Sequence, residues 1–188
     1  SGYEDGSFRP EGNITRAEAA MIFFRLMDVD GTVSVQFVDV PQDAWYAEAV
    51  GALAEEGIII GRDETHFAPD EMITRAEFVT ICTRFDTYSE TETINDFTDV
   101  EASHWAYAFI NYAVHEKWIE GYDDGLFRPD NFITRAEAVC VTGRVLKRSA
   151  DKDYIDAHAD EMKKFTDVSD GYWAFYEIME GAVRHNCY

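Results

Sequence analysis

GYEDGSFRPEGNITRAEAAMIFFR occupies residues 2–25, and GYDDGLFRPDNFITRAEAVCVTGR occupies residues 121–144. The two agree at 14 of 24 positions without a gap, through the elements Gly-Tyr, Phe-Arg-Pro and Ile-Thr-Arg-Ala-Glu. A third version, GRDETHFAPDEMITRAEFVTICTR, fills residues 61–84, so the copies start 59 and then 60 residues apart. A period of this kind marks a fold made by stacking one small supersecondary unit, and it has to be found before anything else is read.

A second motif interleaves with the first. Phe-x-Asp-Val begins at Phe37, Phe97 and Phe165, and a Trp follows each Asp by six residues: Asp39–Trp45, Asp99–Trp105 and Asp167–Trp173. From Trp to the next loop Gly is 16 residues in both places where it can be counted, Trp45–Gly61 and Trp105–Gly121. One repeat is therefore Phe-x-Asp-Val, a first helix, a Gly-led loop, then Ile-Thr-Arg-Ala-Glu and a second helix. In AWYAEAVGALAEEGI the apolar residues Trp45, Ala49, Ala52, Leu53 and Ile58 form a near-helical stripe that Gly57 stops. Thr15, Thr74 and Thr134 each precede a Glu by three residues (Glu18, Glu77, Glu137), the pattern of a capping box. Losing such a cap costs about 1 kcal/mol, so folding alone explains part of the motif, but not its Arg.

These periods assign residues 2–27 to the second half of repeat 1, 37–86 to repeat 2 and 97–148 to repeat 3. Residues 165–188 form a helical half-repeat. The first copy lacks its first half and the last lacks its second, so we expect the two ends to complete one repeat, with the C-terminal helix beside residues 2–27. The rival is that Phe165 merely begins a fourth repeat. The segments Asp28–Gln36 and Asp86–Asp96 read as short polar linkers. A short extra helix is expected near DYIDAHADEMKKF. Because Ser1 stands in mid-motif, the chain is expected to be a piece of a longer protein, with any targeting signal outside it.

The formal charge of −21, from 37 acidic against 16 basic residues, argues against a nucleic-acid partner, which needs a basic face. No apolar run approaches 18 residues, so no membrane span is expected. Cys82, Cys140 and Cys187 show no paired-ligand spacing, and the first two, inside apolar helical stretches, read as buried thiols. The acidic loops fail the EF-hand pattern, since Tyr122 and Glu120 stand two and four residues before Asp124. The five histidines make no metal-binding pair, and no Ser/His/Asp or Cys/His constellation is visible. We expect no metal, no cofactor and no catalysis.

Taken together, FxDV, HWA, GYxDGxFRP and ITRAE in fixed order resemble the S-layer homology (SLH) repeat, and the resemblance covers nearly the whole chain outside the linkers. It implies an all-α fold: a pseudo-threefold trimer of repeats with a central helix bundle and grooves between repeats. It also implies a monomeric, extracellular module at the bacterial cell surface, binding cell-wall polysaccharide, often one whose terminal sugar carries a pyruvate ketal. The family's ligand-binding positions fall on Arg16, Arg75 and Arg135. In the loops they fall on Gly2, Tyr3, Asp5 and Gly6 and on Gly121, Tyr122, Asp124 and Gly125, and in the first helices on Trp45, Trp105 and Trp173. The middle loop departs, reading Gly61-Arg62-Asp63-Glu64-Thr65. If the second Gly of the other loops has positive φ, Thr65 cannot copy that turn cheaply, so this loop is expected to be reshaped and Arg75 is the less certain arginine.

The chemistry is coherent. A guanidinium meets a carboxylate as a fork, a helix start offers free N–H groups, a Gly-led loop allows close approach, and an aromatic face suits a pyranose. Plainer roles stand beside these. The arginines equally suit structural ties to Asp39 or Asp99, and the repeated Trp residues read first as core anchors. Phe8, Phe67 and Phe127 read as loop plugs, and Arg25, Arg84 and Arg144 as solvated or inter-repeat contacts. Alanine at Arg16 and Arg135 is expected to abolish wall binding with melting unchanged. The alternative function is a protein-interaction module on the same fold.

Overall fold

Each Thr-Arg-Ala-Glu sequence opens a helix, and each does so through the expected cap. Thr15, Thr74 and Thr134 accept the N–H of Glu18, Glu77 and Glu137, whose carboxylates reach back to the cap N–H groups. The computed structural model describes residues 2–27, 35–86, 89 and 95–182. Cys187, His185 and most of both expected linkers lie outside the described residues. Among the described residues the chain is all-helical: α1 (Arg16–Phe24), α2 (Ala47–Glu55), α3 (Arg75–Phe85), α4 (Tyr107–His115), α5 (Arg135–Val145), α6 (Lys152–Ala157) and α7 (Phe175–Ala182). The extended contacts described are two single bridges, Thr15 with Met72 and Thr74 with Phe132.

The chain divides into a larger unit, residues 13–133, and a smaller one that joins the N-terminal residues to 134 onward. In the larger unit α1 packs on α2 and α3 on α4, so each Thr-Arg-Ala-Glu helix pairs with the Trp-motif helix that follows it. Its core holds Phe23 against Phe78 and Phe85, with centroids 5.5 and 5.4 Å apart. The three isoleucines that lead the motifs close a ring of backbone hydrogen bonds. Ile73 N–H donates to Ile14 at 3.1 Å, Ile133 to Ile73 at 3.1 Å, and Ile14 to Ile133 at 3.4 Å. All three side chains are buried, and the ring keeps their backbone groups paired out of water.

In the smaller unit α5 and α6 pack on α7 around Phe8, Cys140, Ile155, Phe165 and Ile178. The extra helix is α6, where Asp151 caps the N–H of Tyr154 at 2.9 Å and Ile155 supplies the buried residue.

Phe-x-Asp-Val has a structural task that its pattern did not reveal. Asp39 accepts the N–H groups of Phe67 and Ala68 at 2.8 and 2.7 Å. Asp99 takes those of Phe127 and Arg128 at 2.9 and 2.6 Å, and Asp167 those of Phe8 and Arg9, both at 2.7 Å. Arg9, Ala68 and Arg128 all have positive φ (58°, 59° and 58°), so each carboxylate braces a left-handed residue. The motif Phe closes the same joint: Phe37, Phe97 and Phe165 lie 5.7, 5.5 and 5.3 Å from Phe67, Phe127 and Phe8, which do plug the core.

The repeated Trp residues are not core anchors. Trp45, Trp105 and Trp173 are 62, 57 and 61 % exposed, because each stands two residues before its helix and so lies off the apolar stripe. The buried tryptophan is the unrepeated Trp118, edge-on to Tyr112. Cys82 and Cys140 are buried thiols as expected; burial pushes Cys140 up to about 12 and raises Cys82 as well. Because the thiolate is the reactive form, we expect both to alkylate at least ~100-fold slower in the folded chain than in urea at pH 8. Peptide mapping after iodoacetamide treatment checks this, and labelling at the unfolded rate would contradict the packing.

Candidate functional site

Burial of Arg16 and Arg75 (7 and 8 % exposed) is unusual for guanidinium groups, and the loops explain it. Arg16 donates from Nε to the carbonyl of Phe67 at 2.9 Å and from Nη2 to that of Ile60 at 2.8 Å. Arg75 Nε donates to Phe127 O at 2.9 Å, and Arg135 Nε to Phe8 O at 2.8 Å. The tie foreseen to Asp39 or Asp99 is therefore a tie to a loop carbonyl, since those carboxylates are engaged with backbone N–H groups.

These bonds also reassign the arginines to loops. Arg16 serves the divergent loop 61–67 and not the loop of its own copy. Arg75 lies over Tyr122 (4.6 Å to the centroid) and Arg135 over Tyr3 (4.8 Å). The arginine that looked least certain faces an intact loop, and Arg16 faces the altered one.

Within the intact loops most sequence candidates have a structural partner. Gly6 and Gly125 have φ of 80° and 77° and turn the loop apex, with N–H groups donating to Tyr3 and Tyr122 at 3.1 and 2.9 Å. A Cβ at Gly2 would stand 2.5 Å from the Phe165 ring, and one at Gly121 2.3 Å from Phe97, so the first glycine admits the motif Phe. Asp5 pairs with Arg9 at 2.9 Å and Asp124 with Arg128 at 2.6 Å. Hydrogen bonds from Ser7 and then Arg9 hold the Asp5 carboxyl well below the usual range. Tyr3 and Tyr122 each meet a second guanidinium, from Arg9 (4.0 Å) and Arg128 (4.2 Å). Both rings are thus clasped between two cations.

The divergent loop is rebuilt as expected. Its ends keep the same bracket, Arg62 N–H to His66 O at 2.8 Å. Its apex is held instead by Asp63, which accepts the N–H groups of Thr65 and His66 at 2.7 and 2.8 Å. Where the other loops carry Tyr, Arg62 donates to Glu71 at 2.8 Å and forms a very short contact with Glu77. Arg16 Nη1 lies 3.8 Å from the same Glu77 carboxylate. Burial, and then the Arg62 charge, lower the Arg16 pKa. Beside these groups opens a cleft of about 150 Å³ that also takes in Thr80, Ile81, Arg84 and the exposed Trp105. Residues of all three copies line it, which no single motif in the sequence announces.

One expected feature is absent. The first-turn N–H groups of the three helices are all engaged. Those of Arg16, Arg75 and Arg135 donate to Glu71, Asn131 and Gly12 at 2.8 Å, and those of the following alanines to proline carbonyls at 3.0 Å. With the caps also filled, these helix starts have no spare donor for an anion. An anion at these helix starts would have to be met by side chains. Because Arg16 and Arg135 also tie loop carbonyls, alanine at these positions is expected to lower the melting temperature as well.

The S-layer homology domain model matches residues 1–20, 36–79 and 96–139. The chain is 39 % identical to Cell surface glycoprotein 1 of Acetivibrio thermocellus over 98 % of its own length and 8 % of that protein's. It is 37 % identical to the Cellulosome-anchoring protein of the same organism, over 98 % of this chain and 42 % of that one. The Surface-layer 125 kDa protein of Lysinibacillus sphaericus is 33 % identical over 78 % of this chain and 13 % of its own length. The chain thus spans less than half the length of these relatives.

Proposed function

The chain belongs to the S-layer homology domain family, and on that premise we propose that it is a non-catalytic anchoring module for the bacterial cell wall, acting outside the cell. Its ligand is a secondary cell-wall polysaccharide that carries an acidic sugar, with a pyruvate ketal as the leading candidate. Three repeats provide the binding surface, and residues 165–182 complete the repeat begun at residue 2. The observation that carries this reading is the cleft beside Arg16. A chain of formal charge −21 places Arg16, Arg62 and Arg84 around one opening, against Glu77, and sets a 57 % exposed Trp at its wall. Guanidinium forks match a carboxylate, and a flat exposed indole matches the apolar face of a pyranose. At physiological salt the Debye length is about 8 Å, so an arginine in contact outweighs the distant surface carboxylates. The names of the relatives, an anchoring protein and surface-layer proteins, agree with this role.

The test is sedimentation with purified bacterial sacculi, before and after acid extraction of the secondary polymer. Capture that disappears on extraction is the expected result. Capture that survives extraction moves the function to another wall component or a protein partner. Absence of capture by intact sacculi removes the glycan assignment while leaving the fold in place.

A further inference from the structure

Arg84 stands apart among the guanidinium groups of the cleft. Arg62 is paired with Glu71 and Glu77, and Arg16 faces Glu77, while Arg9 and Arg128 have Asp5 and Asp124. Arg84 is half-buried, lies 5.5 Å over the Phe109 ring, and has no carboxylate partner among the described residues. Its pKa is lowered by burial with no acidic neighbour offsetting it. In a chain with 37 acidic and 16 basic residues, a half-buried cation with no ion-pair partner among the described residues is a costly arrangement that a bound anion would relieve.

Its position gives the spacing. Glu77, Thr80, Ile81 and Arg84 line the cleft at intervals of three, one and three residues, which is one face of α3 from its first turn to its last. Seven residues of helix rise about 10 Å, more than one pyranose ring spans. Arg16 and Arg62 cluster at the Glu77 end, and Arg84 marks the other. Between them Ile81 offers an apolar floor, and the Thr80 hydroxyl is turned away to donate to Ala76 O at 2.8 Å.

We propose that Arg84 is a second anion contact, so that this cleft reads acidic groups on two consecutive sugars: one beside Arg16 and Arg62, the next at Arg84. The inference rests on the glycan-binding reading above and deepens it, because it makes specificity a matter of charge spacing along the polymer.

Calorimetric titration of the full chain with galacturonate and with digalacturonate tests it, since the two probes differ by one acidic sugar. A charge-assisted hydrogen bond corresponds to roughly tenfold in affinity, so digalacturonate is expected to bind at least about tenfold tighter. Arg84→Gln is expected to erase that advantage, bringing digalacturonate affinity down about tenfold to that of galacturonate, and Arg84→Lys to restore part of it. Equal affinities in the wild type, binding of neither sugar, or an advantage that survives Arg84→Gln each overturn the proposal. Sacculus capture is read separately. Wall binding without the digalacturonate advantage leaves the anchor standing and removes the role of Arg84. The advantage without wall binding does the reverse.

Discussion

Replacing Arg75 and Arg135 together by lysine is expected to weaken capture on intact sacculi by about a hundredfold, roughly tenfold for each fork exchanged for a point charge. Both arginines sit over the tyrosine of an intact loop, with Nε on the carbonyl of the loop Phe at 2.9 and 2.8 Å. An ammonium keeps the charge but cannot hold that carbonyl and meet a carboxylate in one plane. Alanine is the wrong probe. It would leave Phe127 O and Phe8 O without their guanidinium donor and open space beneath the tyrosines, at a cost of about 1–3 kcal/mol per site. Loss of binding would then be confounded with loss of the loops. For the lysine pair the expected signature is weakened capture with the same helical circular dichroism and a melting temperature within a few degrees of wild type. Capture at wild-type strength would show that these arginines serve the fold alone, and the cleft at Arg16 would become the sole candidate.

How much of this was legible beforehand depends on whether the physics was local. The capping boxes, the helix stop at Gly57 (φ 69°) and the rebuilt apex of the middle loop all follow from residues within a few positions of one another. The helix stop at Lys117 does not announce itself. It closes α4 in the same left-handed conformation (φ 61°) with a residue that carries no such signal. The exposed Trp residues were misjudged because a stripe was read through a position that precedes the helix. Pairing each arginine with the loop of the next copy, and filling the first-turn N–H groups, both depend on how copies interlock. Repeat sequences hide this, since every copy offers the same partners at three places. Arg62 and Arg84 were visible as residues, but only the cleft gives them a task.

The carboxylates of Phe-x-Asp-Val offer the sharpest test of the interlocking. Asp99→Ala is expected to lower the unfolding free energy by about 3 kcal/mol, because two charge-assisted bonds to backbone N–H groups are lost at once. Arg128, one of the two donors, is also left in a conformation with φ of 58° and no brace. Asp167→Ala removes the same pair of bonds from Phe8 and Arg9, donors 159 and 158 residues distant in sequence. If residues 165–182 complete the repeat begun at residue 2, the two variants should cost nearly the same. The Phe8 and Arg9 amides should then exchange with solvent at least ~100-fold faster in Asp167→Ala, since the local brace sets their protection. Denaturant unfolding and amide exchange by NMR measure both quantities. A penalty for Asp99→Ala alone, with Phe8 and Arg9 amides unchanged in Asp167→Ala, would mean that the N-terminal loop is held by its own contacts. The last Phe-x-Asp-Val would then be a neighbour of that loop and not its missing half.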